Sequence, residues 1–344
     1  MTTSSRIVGL LRSTLGPVLA PVYGQVVARR NRAFDRGVGV VRVGVPVVSV
    51  GNLTVGGTGK TPMVAWLVAR LLEQGFRPAI AMRGYRARGG LSDEAEVYRQ
   101  TLPGVRVLVG PDRARVIAQA LGDGKGTFDC VVLDDGMQHR QLARNLDVVL
   151  IDAQSRTLDD HLLPRGDLRE PAAGLGRAGV VVLTHAGGLA PEGVGALEGR
   201  VRGLAQPGAL VVRAEHVWTG VRVRQGGVER LEGLPWLSGR GVLGACAVGR
   251  PERFLGMLGK VADVRTSVAL PDHDAFSAST CAGIERAAAL AGAQVVVMTE
   301  KDWTKARAHG WEIAVARPVL EMRVEGGAAV VERVRRACQG PVPG

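Results

Sequence analysis

The sequence predicts an α/β protein: a mostly parallel sheet flanked by helices, a second, smaller α/β lobe, and an N-terminal amphipathic helix. Three observations carry that reading. Short β-branched runs alternate with segments whose apolar residues recur at three- and four-residue spacing, as a parallel sheet requires. The alternation restarts near residue 204. A strand-like run, Val47 to Val50, passes through a glycine-rich turn into a helical pattern. The expected division is residues 1–35 as the N-terminal helix, 36–203 as the main domain and 204–344 as the smaller lobe.

In order along the chain, residues 6 to 32 place Ile7, Leu11, Leu15, Val18, Val22 and Val26 on one stripe, and Pro17 and Pro21 predict a kink or restart there. Between residues 1 and 42 stand seven arginines against a single acid, Asp35. That is half of the protein's net charge of +12. The run is too short, and too interrupted by Arg12, to span a bilayer. It suits a helix lying in the headgroup plane of an anionic leaflet, and equally a helix packed on the protein's own core.

The next segment is Thr54, Val55, Gly56, Gly57, Thr58, Gly59, Lys60, Thr61, followed by Val64, Leu67, Val68 and Leu71 at helical spacing. Strand, glycine-rich loop and helix in this order turn several backbone N–H groups toward one point at a helix N-terminus, where phosphate is the natural occupant. The fold expectation is therefore P-loop NTPase-like. Gly56, Gly57, Thr58 and Gly59 would cradle the phosphates of ATP, Lys60 would reach the outer ones, and the Thr61 hydroxyl would ligate Mg2+. One position departs from the general Walker A pattern: Thr54 stands where a glycine is usual.

Further strands are expected at Ala79 to Met82, Val105 to Val109, Cys130 to Leu133, Val148 to Ile151 and Val180 to Thr184. Leu91 to Ala95 opens a helix, with Ser92 as its cap and Asp93 and Glu94 as first-turn acids. Pro111, Asp112 and Arg113 begin another. The Cys130 strand delivers Asp134 and Asp135 at its carboxyl edge, where a parallel sheet opens its ligand crevice, and the pair reads as a Walker B acid site for the metal. His139, just beyond, is read as structural. Leu163 to Pro171 is a polar, proline-flanked loop whose Arg165 and Arg169 could hold transferred phosphate while an acid joins the metal shell. In the smaller lobe, strands are expected at Leu210 to Ala214, Gly241 to Val248, Val264 to Leu270 and Gln294 to Met298, with helices at Pro251 to Leu258 and Thr280 to Leu290.

Composition narrows the class. With 46% hydrophobic residues and 4% aromatic ones the chain can pack a large core. The four cysteines have no paired spacing and read as small core residues, neither a disulfide framework nor a zinc site. The basic excess draws polyanions, but no zinc finger, RNP-like motif or basic-and-aromatic face points to nucleic acid, which is not expected as a partner.

Taken together these segments resemble the tetraacyldisaccharide 4'-kinase family of lipid A biosynthesis. The matches, in order, are Ser49 to Leu53 with Gly56 to Pro62, Ser92 to Glu94, Asp134 to His139, Leu163 to Glu170, Pro271 to His273 and Thr299 to Asp302. The family shares the residue pattern at Thr54; Ala95 stands where its members commonly have proline. The resemblance implies phosphoryl transfer from ATP to the 4'-hydroxyl of an acylated glucosamine disaccharide 1-phosphate, at the cytoplasmic face of the bacterial inner membrane, by a peripheral protein. It further implies Asp93 as the base, paired with His273 from the smaller lobe. Lys60 and Arg169 would carry developing charge, Arg113 would contact the nucleotide, and Thr61, Asp134, Asp135, Glu170 and Glu94 would build the Mg2+ site. The alternative is a partitioning or maturation NTPase of the same P-loop class. That group commonly has lysine where this chain has Val55.

Overall fold

The computed structural model describes residues 12–84, 93–124, 127–272 and 274–341, and of Asp93 the backbone alone. Two compact units divide the chain. The first takes Met1–Tyr85, Leu102–His216 and Met322–Gly344, the second Arg86–Thr101 and Val217–Glu321. The expected cut at residue 204 differs because the chain passes between units several times: residues 86–101 go to the second and the last 23 residues return to the first.

In the first unit, helix α1 (Gly16–Asp35) precedes strand β1 (Val47–Asn52), and α2 (Lys60–Glu73) follows it. Next come β2 (Pro78–Met82), β3 (Arg106–Val109), β4 (Cys130–Asp134), β5 (Leu146–Asp152), β6 (Val180–Thr184) and the first half of β7 (Leu210–Gln225). Their order across the sheet is β7-β6-β5-β1-β4-β2-β3, all parallel. Strand β1 lies between β4 and β5, with Val50 opposite both Asp134 and Val148. The strand order reverses here, at the point where open α/β sheets bind ligands beyond their carboxyl ends. Every residue of β1, β2, β4, β5 and β6 is buried, which is why these strands read as near-continuous apolar runs.

Helix α2 buries Met63, Val64, Leu67, Val68 and Leu71 against the sheet, each contributing roughly 1.5–3 kcal/mol on burial. The helix between β3 and β4, Arg113–Gly122, is capped by Asp112, whose carboxylate accepts from the Arg115 N–H at 3.0 Å. The C-terminal helix, Gly327–Gln339, buries Val330, Val334 and Cys338 at four-residue spacing. The Cys338 thiol hydrogen-bonds that of Cys130, a contact that, with burial, pushes the Cys130 thiol up. All four cysteines are buried and free, as expected.

Helix α1 runs through Pro21, where a kink had been expected, and starts anew at Gly16 after a short helical stretch at residues 12–14. Pro17 sits in the first turn, where its missing N–H is an orphan anyway. Its inner face is made of small residues: a Cβ on Gly16 would lie 2.9 Å from Arg165 Cα, and one on Gly24 would lie 2.9 Å from Leu162 Cδ1. Ala20 and Val27 are buried on the same side. The other side leaves Val18, Val22 and Val26 more than half exposed, beside exposed Arg29, Arg30 and Arg32. Among the described residues no helix is long and apolar enough to cross a membrane.

The second unit has its own parallel strands in the order β10-β9-β11-β12, namely Asp263–Ala269, Gly241–Cys246, Val295–Met298 and Ala314–Val324. The latter half of β7 forms an antiparallel hairpin with β8 (Val228–Glu232), which glycine-rich sequence at Gly226 and Gly227 turns. Helices α3 (Asp93–Thr101) and α8 (Glu300–Ala306) pack on each other, and Ala278–Leu290 covers β9 and β11. Its core includes Phe276, Cys281, Ile284, Met298 and Trp303.

Candidate phosphate-binding site

The loop after β1 turns through Gly56 and Gly59 with φ of +101° and +87°, values that glycine adopts without a steric penalty. Gly59 is the N-cap of α2. Lys60 and Thr61 therefore occupy the helix's first turn, at its positive end. Thr58 is buried and its carbonyl accepts the Thr184 hydroxyl from the end of β6 at 3.1 Å, which fixes the loop to the sheet edge.

At Thr54 the structure shows why glycine is not needed. The residue forms an antiparallel bridge with Leu168, the Val55 N–H donates to Asp167 O at 2.8 Å, and the Arg169 N–H donates to Leu53 O at 2.7 Å. Thr54 is thus a short piece of strand, where a side chain is welcome. The same bridge seats the proline-flanked loop beside the glycine-rich one, bringing Arg169 to the site.

Lys60 Nζ donates to Asn52 Oδ1 at 3.1 Å and stands 3.4 Å from Asp135 Oδ1. Arg169 Nη1 reaches both Asp135 oxygens, at 2.8 and 2.7 Å, and Gln138 Oε1 at 3.2 Å. Burial raises the Asp135 carboxyl, but Lys60 and Arg169 outweigh it and hold the group below the usual carboxylate range. Asp135 has φ of +53°, the turn that swings it off the strand axis toward these two cations. Asp134, the last residue of β4, is buried.

Glu170 is also buried, and its oxygens are engaged by Gln138 Nε2 at 2.9 Å, Arg177 Nη2 at 2.7 Å and Asn31 Nδ2 at 3.4 Å. These contacts make it the anchor of the loop and of helix α1, whose Tyr23 hydroxyl donates to Arg169 O at 2.8 Å. Arg113 is buried at the start of its helix and feels the charges of Asp135 and Asp134, while desolvation lowers its pKa. His139 is held down to about 4 by burial and by Arg113 and Arg144, so at neutral pH it is uncharged. Glu94 lies on α3 in the second unit. The Asp93 side chain, Ser92 and His273 lie outside the described residues.

Several residues here were not singled out from sequence. Asn52 and Gln138 hold Lys60 and Arg169 in place, and both fall inside motifs whose charged neighbours drew the attention. Asp152, His185 and His216 form a second group at the carboxyl ends of β5, β6 and β7. His185 Nδ1 is 3.4 Å from Asp152 Oδ1, its ring is edge-on to His216 at 4.8 Å, and a Cβ on Gly59 would meet His216 Nε2 at 2.6 Å. The available signal was positional: each follows an apolar strand in a sheet that binds ligands at that edge.

Among the described residues no cluster of three or more His, Cys, Asp or Glu side chains could hold a metal by itself. The donors at the loop are hard oxygens, Thr61 and Asp134, and that set fits Mg2+, which needs one or two carboxylates and keeps several waters.

A central parallel sheet with a lysine-terminated glycine cradle at its switch point, faced by an aspartate and an arginine, defines a phosphotransferase of P-loop type. The tetraacyldisaccharide-1-P 4'-kinase family model matches residues 12–338. The chain belongs to that family. A tetraacyldisaccharide 4'-kinase from Anaeromyxobacter sp. (strain K) is 39% identical over 351 residues, covering 92% of this chain and 90% of that one. One from Geobacter sulfurreducens is 36% identical, covering 92% and 91%. The crystal structure of LpxK from Aquifex aeolicus in complex with ATP is 26% identical, with a TM-score of 0.74 over 95% of this chain and 99% of that one.

Proposed function

We propose that this protein transfers the γ-phosphoryl group of ATP to the 4'-hydroxyl of a tetraacyldisaccharide 1-phosphate, giving the bis-phosphorylated lipid A precursor. The observation that carries the reading is the convergence of Lys60, Asp135 and Arg169 on one point beside the cradle, in a chain whose family membership spans nearly its whole length. Phosphoryl transfer asks a protein chiefly to position the reactants and to stabilise charge on the transferring oxygens. Lys60 and Arg169 supply that charge, Asp135 holds both cations at one place, and Arg113 adds a fixed positive field behind them.

Mg2+, when bound, bridges and neutralises the phosphate oxygens; Thr61 and Asp134 would hold it, with Asp135 adjacent. Glu170 serves this site by fixing the Arg169 loop, and Glu94 is kept as a further acid for the metal. The 4'-hydroxyl is a weak nucleophile and needs a base; Asp93, with His273, is assigned that role from the family pattern. Helix α1 lays its exposed valines against acyl chains and its arginines against lipid phosphates, which places the protein on the cytoplasmic face of the inner membrane as a peripheral enzyme.

The test is direct. Purified protein with ATP, magnesium and detergent-dispersed disaccharide lipid yields a product bearing one more phosphate, detected by mass spectrometry. Asp93→Ala lowers kcat steeply and leaves ATP binding nearly intact. A folded, ATP-binding preparation that forms no product would sink the assignment.

A further inference from the structure

The Thr299 to Asp302 motif is used nowhere in the reaction above, and its side chains are built into the second unit with unusual care. Asp302 is fully buried: its Oδ2 accepts the Ala247 N–H at 3.1 Å and the Thr299 hydroxyl at 2.7 Å, which locks the first turn of α8 onto the end of β9. Trp303 is buried in the core, with the guanidinium of Arg317 over its ring at 4.8 Å. Helix α8 is therefore a rigid post.

Three cations project from this post. Lys301 Nζ stands 3.5 Å from Asp272 Oδ1. Lys305 Nζ donates to Asp274 O at 3.0 Å. Arg307, just past the helix, pairs with Glu96 of α3 at 3.3 Å. The turn that carries Asp272 and Asp274 is itself closed, with Asp274 N–H on Pro271 O at 3.0 Å and Phe276 N–H on Asp274 Oδ1 at 2.8 Å. Phe276, at φ of +49°, is buried beside Trp303 in the same core.

We infer that Lys301 and Lys305 are positioning residues for the phosphoryl transfer: they clamp the residues on either side of His273 in sequence, while Arg307 ties down the helix that begins at Asp93. A single short helix thus grips both segments assigned to the base and its partner. Neither lysine needs to touch substrate. The inference rests on the kinase reading above, because only that reading gives residues 93 and 273 a shared task.

The experiment measures kcat and KM for ATP and lipid in Lys301→Met, Lys305→Met and Asp272→Asn, with thermal unfolding alongside. Loss of the clamp lowers kcat by about 10- to 100-fold, as misplacement of reacting groups does, with KM for ATP little changed. Lys301→Arg keeps the charge and recovers most of the rate. Lys301→Met combined with Asp272→Asn is no worse than either alone, because both remove one pair. Folded variants with unchanged kcat, no recovery by arginine, or additive losses would each overturn the inference. A wild-type protein inert toward the lipid overturns the kinase reading and this inference with it; an active wild type with unaffected variants overturns this inference alone.

Discussion

Arg169 places one nitrogen within 2.8 Å of both carboxylate oxygens of Asp135, and Lys60 stands 3.4 Å from the same group. Two cations from distant parts of the sequence are thereby fixed at a spacing set by one acid. Removing Arg169 as Arg169→Met lowers kcat by roughly 10²–10³, the size usual for losing a group that stabilises transition-state charge. It also lets the Asp135 carboxyl rise, since one of the two charges holding it down is gone. Steady-state kinetics and carboxyl NMR titration check the two halves independently.

Gly59→Ala removes ATP binding, measured by calorimetry. Its φ of +87° is strained for alanine, and the added methyl carbon would stand 2.6 Å from His216 Nε2. Adding His216→Ala relieves the second fault but not the first, so binding returns only in part.

Between pH 6.5 and about 4 the protein loses stability through His139. Burial, then Arg113 and Arg144, depress this imidazole in the folded state. As pH falls through that window the unfolded chain takes up a proton that the folded chain refuses, so the equilibrium shifts toward unfolding. His139→Gln flattens this part of the profile of Tm against pH. An unaltered profile would show that the loss arises elsewhere.

Val18, Val22 and Val26 are 68%, 56% and 62% exposed. Replacing all three with serine reduces partitioning onto anionic liposomes while shifting Tm little, because surface substitutions away from packed features usually act within about ±0.5 kcal/mol each. A large fall in Tm with unchanged partitioning would give helix α1 a purely structural role.

Much of this architecture is legible in the sequence because its strands are buried on both faces. Cys130 to Leu133 and Val180 to Thr184 have no alternation to misread. The β7–β8 hairpin was less legible: Val221 and Val223 face the core while Arg222 points outward, and the half-exposed run reads as polar turn. Helix Pro191–Leu204 carries four glycines, which blur its period. At the site, Lys60, Asp134 and Asp135 announce themselves by motif. Asn52 and Gln138 do not, since an amide that steers a lysine or an arginine has no signature apart from the fold that brings them together.

All four thiols are sealed in the interior, and burial pushes the Cys246 thiol up to about 12. The native chain therefore offers alkylating dyes nothing to attack. A single cysteine installed in place of Val22 would accept an environment-sensitive fluorophore without any background to subtract, turning the outward side of helix α1 into a direct optical gauge of lipid contact.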